Sequence, residues 1–209
     1  MKKFISALMI TLMAVQSFSF SLLASPISTA DSNETMNIIM DYLNALEAPI
    51  LNNVEAIHHI PISDDHIVTL SMKNEIVDLG RNWLVGIDWE RNLTANTSYV
   101  YTLRLSNIHP TGGEITYRIF YRTGNLTSGM FPINVASTQI TSVAPLGFSR
   151  GFIFDNNIRG NGTFRVDTWG SVNFRHNTVT NGSLDINHNL EVIMANVGGS
   201  LQLQWATRW

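Results

Sequence analysis

Tyr99-Val100-Tyr101-Thr102-Leu103-Arg104-Leu105 and Ile115-Thr116-Tyr117-Arg118-Ile119-Phe120-Tyr121-Arg122 decide the fold of this chain of 209 residues. Tyr99, Tyr101, Leu103 and Leu105 alternate with Val100, Thr102, Arg104 and Ser106; Ile115, Tyr117, Ile119 and Tyr121 alternate with Thr116, Arg118, Phe120 and Arg122. A period of two puts successive side chains on opposite faces of an extended chain, so each run predicts a strand with one buried face. Thr111-Gly112-Gly113 between the runs supplies turn chemistry.

The same period extends outward. Trp83, Val85, Ile87 and Trp89 precede the pair, and Phe164 and Val166, Val172 and Phe174, Leu184 and Ile186, and Val192 and Met194 follow it. Leu201, Leu203 and Trp205 close the series. Asn161-Gly162, Asn181-Gly182 and Gly198-Gly199 punctuate it, and Asn-Gly between alternating runs is a strong hairpin signal. Many short strands at close spacing predict an antiparallel β-sandwich or jelly roll over residues 66–209. Trp83, Trp89, Tyr99, Tyr101, Tyr117 and Tyr121 are expected to fill its core.

Residues 1–30 have the layout of a secretory signal: Lys2 and Lys3, an apolar run from Phe4 to about Phe20, then Pro26 and the small residues Ser28-Thr29-Ala30. Cleavage after Ala30 and a secreted or cell-surface location follow as expectations. Residues 31–65 are expected to be a helix and a connector. Asp31 and Ser32 are good caps, Glu34 suits the first turn, and Met36, Ile39, Leu43 and Leu46 recur at helical spacing, which predicts a helix over 32–48. That stripe can either dock on the β-domain or continue through Ile50, Asn53 and Ile57 as a short oligomeric stalk, although Pro49 opposes the second.

Charged residues are only 14% of the chain, and the net charge of −3 would become −5 without Lys2 and Lys3. No basic stripe exists, so nucleic acid is not an expected partner. The chain has no cysteine, which excludes disulfides, thiolate catalysis and cysteine-held zinc. No Rossmann or P-loop fingerprint occurs, and no cofactor is expected.

Three groups of residues can carry chemistry. His58, His59, Asp64, Asp65 and His66 are five possible metal ligands in nine residues, but without a recognised spacing, and Pro61 predicts a loop there. The competing reading is a polar connector. Asp88 with Glu90, or Asp155 with Asn157, would share strand faces, but no nucleophile elbow or acid–base constellation accompanies them, so no catalytic residue is assigned and an enzyme is not expected. Trp169 is out of phase with Phe164 and Val166 and stands beside Gly170, so it is expected to be accessible near a turn. With Arg165, Asp167 and Asn173 it forms the best candidate for stacking on a sugar and bonding its hydroxyls; the competing reading is a buried tryptophan. Asn33, Asn92, Asn96, Asn125, Asn161 and Asn181 begin N-x-S/T sequons.

Thr94-Ala95-Asn96-Thr97-Ser98-Tyr99, Gly182-Ser183-Leu184-Asp185-Ile186 and Gly199-Ser200-Leu201-Gln202-Leu203-Gln204-Trp205-Ala206 occur in an order that resembles the C-terminal β-domains of bacteriophage tail-fibre and related virion surface proteins. The likeness spans roughly residues 75–209. It implies a jelly-roll-like head, often trimeric, that contacts a host surface, and it implies no catalytic residue. A secretion signal departs from that pattern, because a virion part is assembled in the cytoplasm. The function expected from the sequence is therefore a secreted or particle-surface module that recognises a cell-surface glycan or protein, with a homotrimer as one open assembly. A monomeric carbohydrate-binding protein and a small outer-membrane β-barrel are the alternatives.

Overall fold

The computed structural model describes residues 29–46, 51–78, 92–176, 185–197 and 200–206. Most of the signal-like segment, the Trp83–Trp89 run, Asp88, Glu90, the Asn181-Gly182 and Gly198-Gly199 turns and Trp209 lie outside the described residues.

Among the described residues the chain is mainly β, with one short N-terminal helix and two antiparallel sheets. The elements are α1 (Thr29–Ala45), β1 (Glu55–Ser63), β2 (His66–Asp78), β3 (Ser98–His109), β4 (Gly112–Thr123), β5 (Ile133–Val143), β6 (Phe148–Arg159), β7 (Arg165–His176), β8 (Asp185–Val197) and β9 (Ser200–Ala206). The first sheet runs β1-β2-β3-β4-β5 and the second β6-β7-β8-β9, so each is a meander in sequence order.

The two opening runs pair with each other. Tyr99 lies opposite Tyr121, Tyr101 opposite Ile119, Leu103 opposite Tyr117 and Leu105 opposite Ile115. This register puts both alternating faces on the same side, and every one of those residues is buried. The four tyrosines meet the expectation of a core role; their rings pack inside, with Tyr99 and Tyr121 stacked at 5.1 Å. From the second sheet, Val166, Val172, Phe174, Ile186, Leu190, Val192 and Met194 join the same core. Burying an aliphatic side chain of this size contributes about 1.5–3 kcal/mol.

The polar ends of Tyr99 and Tyr121 are satisfied locally. Tyr99 Oη accepts from the Thr94 backbone N–H at 2.8 Å, while the Thr94 and Thr97 hydroxyls lie 2.7 Å apart. Asn96 between them takes φ 52°, a conformation asparagine tolerates better than most residues. The Thr94–Tyr99 segment is thus a tight corner that delivers the chain into β3. Tyr121 donates to Asn74 Oδ1 at 2.9 Å, Asn74 donates to Asn52 Oδ1 at 2.6 Å, and Asn52 donates to the Asn92 carbonyl at 3.1 Å.

Three boundaries differ from the sequence expectation. The helix starts at Thr29, not residue 32, so Asp31 and Ser32 lie within it and not at its cap. It ends at Ala45 with a tightened bond from Leu46 N to Leu43 O of 3.2 Å, ahead of Pro49. Third, the β-region begins with β1 at Glu55, so His58–Ser63 is strand and not loop. Pro61 is tolerated because β1 is the edge of its sheet, where a missing N–H breaks no ladder.

Met36, Ile39, Met40 and Leu43 of α1 are buried in the common core, against β8, β9 and β1. The apolar stripe is therefore used within the chain: of the two roles open to it, the helix docks.

Candidate functional site

Alternation along β7 sorts its residues between the sheets' interior and its outer face. Val166, Thr168, Gly170, Val172 and Phe174 point inward and are buried. Arg165, Asp167, Trp169, Ser171 and Asn173 fall on the outer face, so the four residues singled out in the sequence share one face of one strand. Trp169 stands in mid-strand, half-buried, and not beside a turn. Arg165 Nε lies 3.3 Å from Asp167 Oδ1. Thr163 ties down the start of the strand, donating to the Gly160 carbonyl at 2.6 Å.

Asn173 differs from the other three. It is 1% exposed and donates to Asn187 Oδ1 at 2.6 Å. A Cβ on Gly151 would stand 2.6 Å from Asn173 Oδ1, so the neighbouring β6 backbone closes over it. Asn173 supports the site's floor and is not placed to meet a ligand.

Register supplies partners the sequence did not reveal. Trp169 has Asn157 of β6 on one side and Glu191 of β8 on the other; Asp167 has Arg159 and Ile193; Ser171 has Asn189. Directly opposed residues have Cβ atoms about 4.5–5.5 Å apart. The exposed Asn157 therefore stands abreast of the indole, with Arg165, Asp167 and Ser171 on the same face, while Glu191 on the β8 side is buried. Asn187, Asn189 and Glu191 alternate with Ile186, His188 and Leu190, a period-two signal visible in the sequence. Their pairing with β7 was not, because it depends on register.

A second surface lies on the first sheet. Glu55, Ser71, Lys73, Glu75, Val100, Thr102, Arg104, Arg118 and Phe120 line an open depression on its outer face. Its charges are largely paired: Lys73 Nζ lies 2.7 Å from Glu75, and Arg104 2.6 Å from Glu114. The Arg104 bond holds the Glu114 carboxyl below its usual range.

The five candidate metal ligands do not converge. His59 faces outward and its Nδ1 is 3.4 Å from Thr69 Oγ1. His58 lies on the opposite face, against Tyr42 Oη of α1 at 3.4 Å. Asp64 and Asp65 form the exposed β1–β2 turn. His66 is buried, with Nε2 donating to the Asn107 carbonyl at 2.7 Å. His58 and Ser63, the neighbour of His66 across the ladder, are separated by about 17 Å at 3.4 Å per residue. Among the described residues no three His, Asp or Glu side chains are grouped to hold a metal ion.

A scan against protein-family models, a search of curated proteins and a search of solved structures each find no match to this chain.

Proposed function

We propose that the chain is an exported, non-catalytic binding module that recognises carbohydrate through the outer face of its second sheet. The observation that carries this reading is the placement of Trp169 beside the exposed Asn157, with Arg165 and Asp167 on the same face of β7. An indole offers an apolar surface for the C–H face of a sugar ring. The Asn157 amide can donate to and accept from vicinal hydroxyls, and the Asp167 carboxylate can accept from them. The rigid strands hold these groups without a loop having to order on binding.

The orientation of the sheet faces favours this module over a membrane barrel. A spanning barrel is apolar outside and polar within. Here Tyr99, Tyr101, Leu103, Ile115, Tyr117 and Ile119 point inward, while Arg104, Arg118, Arg122, Arg165 and Asp167 lie outside. The docked helix favours a monomer over a helix-mediated trimer. The tail-fibre-like motifs at Thr94–Tyr99 and Gly199–Ala206 fit the same role at a cell or particle surface.

The test is a glycan array probed with the purified protein, followed by binding to whole cells. Binding to a restricted set of glycans, competed by the free sugar, supports the proposal. Binding to cells that survives glycan removal and is lost on protease treatment of the cells would replace sugar with a protein partner.

A further inference from the structure

Four of the chain's six histidines gather inside the fold, away from the Trp169 face. His66 opens β2, His109 closes β3, His176 closes β7 and His188 lies within β8. His66, His109 and His188 are buried. The His109 ring lies 5.1 Å from Phe148, which stands edge-on to His176 at 4.9 Å. This ladder joins the end of β3 in the first sheet to the ends of β6 and β7 in the second. His188 packs edge-on to Phe174 at 6.1 Å.

The hydrogen bonding of these rings is uneven. His109 Nδ1 bonds the Thr111 hydroxyl at 2.8 Å. His188 is 1% exposed, and among the described residues neither of its ring nitrogens has a hydrogen-bond partner. The titratable groups that face His109 are His66 from β2 and His176 from β7, and the one that faces His188 is His109 from β3. Among the described residues no carboxylate contributes to either field. A proton added to His109 or His188 would enter a buried interior where the facing titratable groups, among the described residues, are other imidazoles, a costly arrangement. Burial first, and the neighbouring imidazoles second, lower the proton affinity of both rings, that of His188 to about pKa 4. The rings are not grouped for a metal ion.

We propose that this cluster is an acid-sensitive latch: the neutral rings of His109 and His188 hold the β3 end of the first sheet against β6–β8 of the second, and their protonation on acidification parts the sheets at that end. The latch is independent of what the Trp169 face binds. A module released into a compartment of changing acidity would thereby open its interior at one end while its strand ladders persist.

Hydrogen exchange of the purified protein at pH 7.5, 6.0 and 5.0, corrected for intrinsic rates, tests this. Protection around His109, Phe148, Phe174–His176 and Ile186–Leu190 should fall about tenfold or more for each pH unit over the range in which the rings protonate. The centre of β2 and its partner in β3, around Met72 and Leu103, should keep their protection. His188→Phe and His109→Phe should move the loss to lower pH, and His59→Ala, outside the cluster, should leave it in place. Uniform protection at all three pH values in the wild-type protein overturns the proposal without any variant. So does a loss whose midpoint neither phenylalanine variant moves.

Discussion

The side-chain amide of Asn161 brackets the backbone of Val135: its Oδ1 accepts from the Val135 N–H at 2.6 Å and its Nδ2 donates to the Val135 carbonyl at 3.1 Å. Asn161 thus stands in for a strand neighbour along β5, the edge of the first sheet, from the β6–β7 turn of the second. Ile133 extends the join, donating to the Thr163 carbonyl and accepting from Gly162 N–H, both at 2.8 Å. Asn161→Ala leaves both Val135 groups without this partner and should cost about 1–3 kcal/mol. Urea denaturation gives the magnitude, and faster exchange of the Val135 amide shows that the loss is local. An unchanged midpoint would mean that solvent already satisfies β5.

Two other polar contacts should separate clearly in energy. Tyr121→Phe removes the donor to Asn74 Oδ1, a buried acceptor, and should destabilise by about 1–3 kcal/mol. Arg104→Gln breaks the ion pair with Glu114, whose guanidinium side is 53% exposed, and should cost no more than about 1 kcal/mol. Equal effects in thermal or urea unfolding would contradict the contrast drawn between interior network and surface pair.

Stability should also depend on pH through His188. Its folded pKa is lowered from 6.5 to about 4, so the unfolded chain binds the proton more readily. The sign follows: this histidine does not weaken the fold above pH 6.5, and stability falls as pH drops below it toward 4. The slope is about 1.4 kcal/mol per pH unit for one such group. His109 is shifted in the same direction and adds to the effect. Urea midpoints at pH 7.5 and 5.0 measure it, and His188→Phe should flatten the difference. Greater stability at pH 5.0 than at 7.5 would reverse the assignment.

A chelator should leave the melting temperature unchanged, because His58 and His59 face opposite sides of β1 and Asp64 and Asp65 sit in an exposed turn. A fall in melting temperature with EDTA, restored by zinc, would show a site assembled from elsewhere in the chain.

The alternation at Tyr99–Leu105 and Ile115–Tyr121 was enough to place four core tyrosines, because period two is set locally by backbone geometry. Pro61 misled the reading of residues 58–63. Proline excludes a central strand but not an edge, and edge position is a property of the whole sheet. The helix stripe was legible at Met36, Ile39 and Leu43, but its partner was not, since β1, β8 and β9 approach it from distant parts of the chain. Trp169 with Arg165 and Asp167 could be put on one face from spacing alone. Asn157 and Glu191 could not, because register decides which residues stand abreast. His109, His176 and His188 are scattered over eighty positions and become a cluster only when two sheets close.

Titration calorimetry of the wild-type protein and Trp169→Ala against the glycan bound best on the array tests the central claim most directly. Loss of the indole should weaken binding by about tenfold to a hundredfold, with the urea midpoint little changed. Equal affinity of the two proteins, or binding abolished instead by Arg118→Ala on the outer face of the first sheet, would contradict a carbohydrate site centred on β7.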